Sequence, residues 1–287
     1  MLEIQEIKIQ KERNRINENY KFDLFTYLNQ KYLHFVEKKK LNFFRYINKN
    51  KNFFLNPKIS IITPTYNRSD ILLDRCVKSV RDQTYQNYEH IIVSDGSTDD
   101  TEKKILSLKD PKIIFLKIRK HISYEKKIEN TWFAGPVRPL NTALKHVKGK
   151  WIAKHDDDDI WDKNHLLKSL EFCQTNKLEF LSSAYEYKKF NKSYISKPGV
   201  ICDKLMGGSS TFFYVAYLKF IKFNPHCYKK KINKVNDTDL FERMCYSNVK
   251  VGYRDEVSMH IFPRPGESTI GLDQILIDKK NYEKKYL

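Results

Sequence analysis

The chain has 287 residues, 40% of them hydrophobic and 14% aromatic, enough to fill the core of one large α/β domain with an appendage. Lys and Arg number 53 against 35 Asp and Glu, and the formal charge of +18 suits nucleic acid, an anionic membrane surface or a phosphorylated substrate without choosing among them. Five widely spaced cysteines without a C-x-x-C pair argue against a disulfide framework or a zinc site. Neither a signal peptide nor an apolar window of the ~20 residues that a membrane span needs is visible, so a cytoplasmic location is expected.

Residues 1–56 form a Lys- and Asn-rich leader without Gly or Pro, for which helix is the expected state. Apolar residues recur in it at three- and four-residue steps: Phe22, Phe25, Leu28, Tyr32, Phe35 and Val36. Such a stripe predicts a helix face that packs on another surface. We expect that surface to be the main domain. The alternative, favoured by the lysines at 38–40 and the aromatic residues at 43–46, is a membrane-surface or partner helix.

From residue 58 onward, short β-branched runs alternate with helical periodicity. Strands are predicted at 59–62, 88–93 and 112–118, with helices that begin near Ile71 and Thr101, and a fourth strand begins near Lys150. This alternation predicts right-handed βαβ units and a mainly parallel sheet flanked by helices, with ligands beyond the carboxyl ends of the strands. The loops at 63–68 and 94–100 lie on that edge, and so does the end of the fourth strand.

Four consecutive aspartates, Asp156–Asp159, follow the fourth strand. Like charges in a row repel one another, so an external cation is their natural neutraliser. Carboxylates favour Mg²⁺ or Mn²⁺, which complete their coordination with water and substrate phosphates. An EF-hand is excluded because Trp161 stands where that loop needs glycine. The run therefore predicts a metal site for a phosphate-bearing substrate. The alternative is a solvated acidic turn in which Asp159 or Asp162 caps a helix.

The remaining elements are less regular. We expect a helix from Trp161 to about Asn176, a strand over 180–190, a Gly-Ser-rich turn at 207–211 and a helix-like segment from Phe212 to Phe220. A further helix is expected to open at Asn236. The residues after 265 are highly charged and receive no role.

Three ordered motifs, at 59–68, 93–99 and 149–161, resemble the nucleotide-sugar half of a family 2 inverting glycosyltransferase with the GT-A fold, similar to bacterial glycan-synthesising enzymes. The resemblance covers roughly residues 58–262. It divides the chain into an N-terminal helical extension (1–56), a GT-A domain with a Rossmann-like sheet (57–265) and a charged tail (266–287). It implies metal-dependent transfer of a sugar from a nucleoside-diphosphate sugar, with UDP the expected nucleotide, to a hydroxyl of a glycan or glycoconjugate acceptor.

The resemblance assigns nucleotide-sugar binding to Pro64, Tyr66, Arg68, Asp95, Arg138, Asp156 and Asp157. The residue types suit that role, because a carboxylate such as Asp95 accepts the N–H of a uracil ring and an aromatic such as Tyr66 stacks on it. Arg68 and Arg138 are permanently charged and suited to diphosphate oxygens. Two departures from the family are visible. Arg138 is displaced from the usual place beside Asn141, and Ser94 stands where the family often has a second Asp.

The family pattern Asp-x-Asp-Asp lies over Asp156, Asp158 and Asp159. It makes Asp158 the direct ligand of Mn²⁺ or Mg²⁺, and His260 is offered as an additional metal ligand. Asp237 occupies the catalytic-base position at the start of a helix. Asp239, which points about 200° away from it on a helix, is expected to be structural or to orient the acceptor.

Two other functions stay open. A nucleotidyltransferase would share the α/β fold and the metal carboxylates, but it would carry a Gly- and Lys/Arg-rich phosphate loop where this chain has 63–68. A basic nucleic-acid-binding protein would suit the charge of +18 but would leave four adjacent aspartates unexplained, since they repel phosphate. We therefore expect a nucleotide-sugar donor and a glycan acceptor as partners, and no nucleic acid. A peripheral contact with the inner face of a membrane is the alternative role of the leader.

Overall fold

The structure, a computed structural model, describes residues 9–11, 13, 24–48, 55–122 and 127–279. Its first four strands are β1 (Ile59–Thr65), β2 (Tyr88–Ser94), β3 (Ile113–Lys117) and β4 (Trp151–Lys154). They pair in parallel in the order β4–β1–β2–β3. The β-branched and aromatic residues of β1, β2 and β4 are buried on both faces, as expected for a parallel sheet covered by helices. The four predicted strands are confirmed.

Helices connect these strands. They are α2 (Ser69–Ile71), a π-helical turn (Leu72–Val77), α3 (Lys78–Arg81), α4 (Thr101–Ser107), α5 (Ile128–Ala134) and α6 (Val137–His146). The helical starts expected near Ile71 and Thr101 are confirmed. Leu72, Cys76 and Val77 pack with Ile92 and Ile105 into an apolar cluster. The residues of α6 meet β1 and β2, so the sheet is covered by helices as predicted.

Three more strands extend the sheet beyond β4: β6 (Phe180–Ser183), β11 (Phe213–Val215) and β12 (Val251–Arg254). The full order is β12–β6–β11–β4–β1–β2–β3, with β11 antiparallel to both of its neighbours. The helix predicted over Phe212–Phe220 is therefore wrong. Aromatic and β-branched side chains of Phe213–Val215 are buried in the sheet, and only Ala216–Phe220 forms a short 3₁₀ helix.

A smaller sheet lies beside the aspartate run. Its strands are β5 (Asp159–Trp161), β7 (Glu186–Lys189), β8 (Lys192–Ile195) and β13 (Met259–Ile261), in the order β5–β13–β7–β8. A hairpin of β9 (Gly199–Ile201) and β10 (Lys204–Met206) follows. The single strand predicted over 180–190 is thus two strands in two sheets. The next helix, α7 (His165–Thr175), begins later than expected because Trp161 pairs with Met259 in the smaller sheet.

Two helices lie in the last part of the described chain. The helix expected at Asn236 is confirmed as α8 (Asn236–Tyr246). A further one, α9 (Gly271–Ile277), falls in the segment that was expected to be a tail. It packs through Ile275 on Ile128 and Trp132 of α5.

The leader contains one long helix, α1 (Leu24–Asn48), so helix is confirmed there. The helix packs on the domain, but not with the predicted stripe. Glu37 and Leu41 are its buried residues, whereas Phe25, Leu28, Tyr32 and Phe35 of the stripe are exposed. Phe22 lies outside the described residues. No helix in the described part of the chain has the length and apolar character that crossing a bilayer takes.

Candidate functional site

Three loops meet at one edge of the central sheet, because β1, β2 and β4 are parallel neighbours and their carboxyl ends lie side by side. Tyr66 follows β1, Asp95 follows β2 and the aspartate run follows β4. The Asp95 N–H donates to the Thr65 carbonyl at 2.9 Å, which joins the first two loops. Pro64 is buried inside β1, so it shapes this edge without offering a polar group.

Asp95, Tyr66 and His121 form the first cluster at this edge. Asp95 Oδ2 lies 2.8 Å from His121 Nδ1, and the His121 ring stacks on Tyr66 with 4.0 Å between centroids. The other carboxylate oxygen of Asp95, Oδ1, is buried without a hydrogen-bond partner. A buried polar atom left unpaired is costly, so this oxygen is a ready acceptor for an N–H group of a ligand. His121 follows β3 in irregular chain, and no pattern in the sequence marks it.

The chain that carries His121 is held against the β2 loop. Gly96 adopts a φ of +78°, and a Cβ there would lie 2.5 Å from the His121 backbone nitrogen, so only glycine fits. Arg138, near the start of α6, donates to the Lys120 carbonyl at 2.6 Å. In the structure Arg138 therefore contacts the loop of His121 and holds it.

The aspartate run begins with Asp156, which is paired with the lysine two positions before it. Lys154, at the end of β4, is 2% exposed and donates to both Asp156 carboxylate oxygens at 2.7 Å. The hydroxyls of Ser209 and Ser210 donate to the same carboxylate at 3.2 and 2.9 Å. The Gly-Ser-rich turn is thus brought to the run.

Two arginines pair with the middle of the run. Arg68 donates to Asp157 at 2.8 Å, and Arg264 donates to Asp158 at 2.8 and 2.7 Å. Burial alone would raise the pKa of Asp158, but the charges of Arg264 and Arg68 hold it well below its ordinary value. For Asp157, burial outweighs the Arg68 charge and raises the pKa. Burial and the neighbouring carboxylates raise the pKa of Asp159 well above its ordinary value.

Arg75 connects the run to the loop of Arg264. Its Nη1 donates to the carbonyl oxygens of Asp158 at 3.0 Å and Phe262 at 2.9 Å, and its Nη2 donates to the Pro263 carbonyl at 2.7 Å. Three carboxylates of the run, those of Asp156, Asp157 and Asp158, are thus paired with cations of the chain itself. Charge repulsion among these three does not by itself require an external cation.

A metal ion would need ligands from the substrate. Among the residues that the structure describes, no group of three or more His, Cys, Asp or Glu side chains could hold one. Asp158 stands at the sheet edge, and the adjacent Asp157 Oδ2 is buried without a hydrogen-bond partner. One or two carboxylates of this kind fit Mg²⁺ or Mn²⁺ when water and phosphate oxygens supply the other ligands.

His260 does not belong to this group. It lies on β13, where its Nδ1 is 2.8 Å from Glu186 Oε2 and its Nε2 is 3.0 Å from Asp162 Oδ1. Both ring nitrogens therefore engage carboxylates outside the aspartate run, so the structure does not support the expectation that His260 is a metal ligand.

Asp237 reaches the same edge from the first turn of α8. It is half-buried, and its Oδ1 accepts the Thr238 N–H at 2.6 Å. Burial raises the pKa of Asp237, the nearby Lys154 charge lowers it, and Asp156 and Ser209 also act on it. The structure thus brings Asp237 to the Lys154–Asp156 pair, which places a carboxylate beside the run.

The chain is similar in sequence to enzymes that transfer sugars. The profile of the family described as Glycosyl transferase family 2 matches residues 60–244. Escherichia coli WfgD, a UDP-Glc:alpha-D-GlcNAc-diphosphoundecaprenol beta-1,3-glucosyltransferase, is 33% identical over 48% of this chain and 49% of its own length. A GalNAc(5)-diNAcBac-PP-undecaprenol beta-1,3-glucosyltransferase of Campylobacter jejuni is 25% identical over 71% and 68%. The chain spans about half the length of WfgD.

Two solved structures share the fold. Staphylococcus aureus TarS 1-349 in complex with UDP-GlcNAc matches with a TM-score of 0.56 and 18% identity, over 74% of this chain and 60% of that one. The mannosyltransferase PcManGT of Pyrobaculum calidifontis, in complex with GDP-Man and Mn²⁺, matches with a TM-score of 0.52 and 13% identity, over 83% and 68%. The mixed sheet flanked by helices is therefore a GT-A fold, as predicted.

Proposed function

The chain belongs to the family 2 glycosyltransferases, and we propose that it transfers a sugar, with inversion, from a UDP-sugar to a hydroxyl of a glycan or glycoconjugate acceptor. The observation that carries the proposal is the convergence at one sheet edge of an unpaired Asp95 oxygen, the aspartate run and Asp237. Each of these groups corresponds to one part of a nucleotide-sugar reaction: the base, the diphosphate and the incoming hydroxyl.

The nucleotide base is assigned to the first cluster. Uracil presents an N–H at one edge, and the buried Asp95 Oδ1 is an acceptor without a donor. Tyr66 supplies an aromatic face beside it, already in contact with His121. The UDP part of the proposal is supported by the donors named for WfgD and for the TarS complex.

The diphosphate is assigned to the arginines and to Asp158. Arg68 and Arg264 both lie within 3.6 Å of Asp158, so donor phosphates at this edge meet two fixed guanidinium groups. Asp158, with Asp157 beside it, would hold a divalent ion, Mn²⁺ or Mg²⁺. When bound, such an ion supplies charge stabilisation to the departing nucleoside diphosphate. The Mn²⁺ in PcManGT supports this assignment.

Asp237 is the proposed general base. In an inverting displacement the acceptor oxygen forms a bond to the anomeric carbon while the bond to the diphosphate breaks, and one carboxylate takes the hydroxyl proton. Asp237 is half-buried at the edge, and the helix N-terminus favours its ionised form. Asp156, held by Lys154, Ser209 and Ser210, is the residue that we propose to bind the donor's ribose. Because WfgD and its Campylobacter counterpart are named for undecaprenol-linked substrates, we propose a lipid-linked acceptor.

A thermal-shift titration tests the nucleotide assignment. UDP with Mn²⁺ should raise the melting temperature more than GDP or dTDP does, and chelation should remove most of the effect. Asp95→Asn should weaken UDP binding by roughly 10–100-fold, because a hydrogen bond to a charged group is lost. The exposed neighbour Asp100→Asn is the matched control and should bind as wild type. Stabilisation by GDP or dTDP but not by UDP would overturn the base assignment.

A further inference from the structure

The outer side of α1 is unlike any other surface of the described protein. Among the residues that the structure describes, 18 large hydrophobic side chains are exposed, and nine of these lie on α1: Leu24, Phe25, Tyr27, Leu28, Tyr32, Phe35, Phe43, Tyr46 and Ile47. A soluble domain rarely exposes so many together without a use for them. We call these nine residues the α1 apolar face.

The orientation of α1 is fixed by contacts on its opposite side. His34 stacks on Tyr246 with 4.5 Å between centroids, and Phe44 stacks on Phe220 at 5.0 Å. Arg45 donates to Glu179 at 2.6 Å. The side chains of Glu37 and Leu41, which lie between these contacts, are buried. At 3.6 residues per turn, positions 34, 37, 41 and 44 lie about 180° from positions 28, 32, 35 and 43. The central residues of the apolar face, Leu28, Tyr32, Phe35 and Phe43, therefore point away from the domain, whereas Tyr27 lies at its margin, on the side of Arg45.

The charges of α1 border this face. Lys31 and Lys38 lie along one edge and Lys40 along the other, while Lys39 projects over the ring of Phe35 with 4.3 Å between the ammonium and the centroid. The one acidic residue of α1, Glu37, is buried and paired with Arg243 on the domain side. The outward side of the helix thus combines aromatic and aliphatic groups with lysines, and no acidic residue of α1 lies on it.

We infer that the α1 apolar face binds the surface of a bilayer that contains anionic lipid. Helices that lie in a membrane interface have this combination of an aromatic and aliphatic face bordered by lysines whose charged ends reach the headgroups. A second copy of the chain fits less well, because two such faces packed together would bring their lysine borders into contact. Nucleic acid would use the lysines and the rings but would leave Leu24, Leu28 and Ile47 in water.

The test uses the full-length protein and co-sedimentation with two kinds of vesicle. Vesicles that mix phosphatidylglycerol with phosphatidylcholine should bind the protein, and pure phosphatidylcholine vesicles should bind it much less. A triple variant, Tyr32→Ser with Phe35→Ser and Phe43→Ser, should bind the mixed vesicles roughly 100-fold more weakly. Changing Lys38, Lys39 and Lys40 to Gln should cost about fivefold for each lysine.

The matched control removes equally exposed apolar groups elsewhere on the domain. Ile195→Ser with Val200→Ser and Ile232→Ser should bind the vesicles as wild type does. In all variants the UDP-induced thermal shift should be unchanged. Helix α1 contacts α8 at Arg243 and Tyr246, near its C-terminal end, whereas Asp237 lies in its first turn. A failure of the proposed function would be seen as loss of the UDP response in wild type, independently of vesicle binding.

A tryptophan introduced into the α1 apolar face reports by its fluorescence what covers that face. Tyr32→Trp should emit as an exposed indole in buffer and shift to the blue with mixed vesicles. A blue-shifted emission in buffer alone would show that another part of the chain or a second copy covers the face, and would overturn the inference. A shift produced by a single-stranded oligonucleotide, and not by the vesicles, would overturn it in favour of nucleic acid.

Discussion

Helix α8 carries two aspartates whose surroundings are opposite. Asp237, in its first turn, is half-buried beside Lys154 and Asp156, and burial raises its pKa. Asp239 is fully buried, and although burial acts in the same direction, the charges of Arg243 and Lys230 bring its pKa below the ordinary value. Both carboxylates are on one helix, yet their pKa values are shifted in opposite directions.

Asp239 also differs from the aspartates of the sheet edge in how completely its carboxylate oxygens are paired. Asp239 Oδ1 accepts from Lys230 at 2.9 Å, and its Oδ2 accepts from Arg243 at 2.9 Å. Arg243 also pairs with Glu37, which ties α1 to the domain. At the sheet edge, by contrast, Asp95 Oδ1 and Asp157 Oδ2 have no hydrogen-bond partner. A carboxylate such as Asp239, with both oxygens paired, stabilises the fold, whereas an unpaired oxygen at the sheet edge is available to a ligand.

The largest expected effect is on turnover. Asp237→Asn keeps the size of the side chain but removes the proposed base, so the rate of UDP release in the presence of acceptor should fall by ~10²–10⁴-fold. The affinity for UDP should stay within a few-fold of wild type, since Asp237 does not touch the base cluster. Near wild-type turnover in this variant, together with an inactive but folded Asp239→Asn protein, would transfer the catalytic role to the second acid.

Asp239→Asn should act on stability instead. Removing one partner of a buried ion pair leaves Lys230 and Arg243 undercompensated, and we expect a loss of ~3–5 kcal/mol in the free energy of unfolding at pH 7. The folded-state pKa of Asp239 is lowered, so its stabilisation is present above the unfolded value of about 4 and is lost as the pH falls below it. Urea unfolding at pH 7 measures this, with Asp237→Asn as the control that should change little. Equal stability of Asp237→Asn and Asp239→Asn would show that the two aspartates do not differ in what they contribute to the fold.

The sequence predicted the framework of the fold because its signals are local. The β-branched runs at 59–62 and 88–93 and their polar ends mark strands wherever they occur, and parallel pairing then brings their loops together. The α1 stripe shows the limit of the same reasoning. Periodicity reveals that a helix has an apolar face, but not whether that face meets the domain or points outward. Here the packing side is held by Glu37 and Arg45, which the pattern of apolar residues does not identify.

The partners of the aspartates could not be predicted for a related reason. Arg264 lies 106 residues after Asp158, and Arg243 lies 206 residues after Glu37. No spacing rule connects such positions, and in a chain with 53 Lys and Arg residues no single cation stands out. Lys154 is close to Asp156 in sequence, but in an apolar strand it resembles a chance interruption of the pattern. Its burial is explained by the Asp156 carboxylate and the Ser209 hydroxyl, which accept its hydrogen bonds at the sheet edge.

The smallest expected effect is that of Lys154 on the pH at which kcat falls on acidification, the acid limb of the pH–rate profile. The Lys154 charge lowers the pKa of Asp237 against burial and Asp156, which both raise it. Lys154→Met removes the lowering contribution, so the pKa of Asp237 should rise. A base works only when ionised, and the fall in kcat on acidification should therefore begin at a higher pH than in wild type.

The relevant measurement is the position of the limb and not the height of the plateau, because loss of the Asp156 pair also affects donor binding. Lys145→Met, at the exposed end of α6, is the matched control and should leave the profile in place. An acid limb that does not move in Lys154→Met would show that Asp237 is not the titrating base or that Lys154 does not act on it, and the contrast between the two aspartates of α8 would then rest on burial alone.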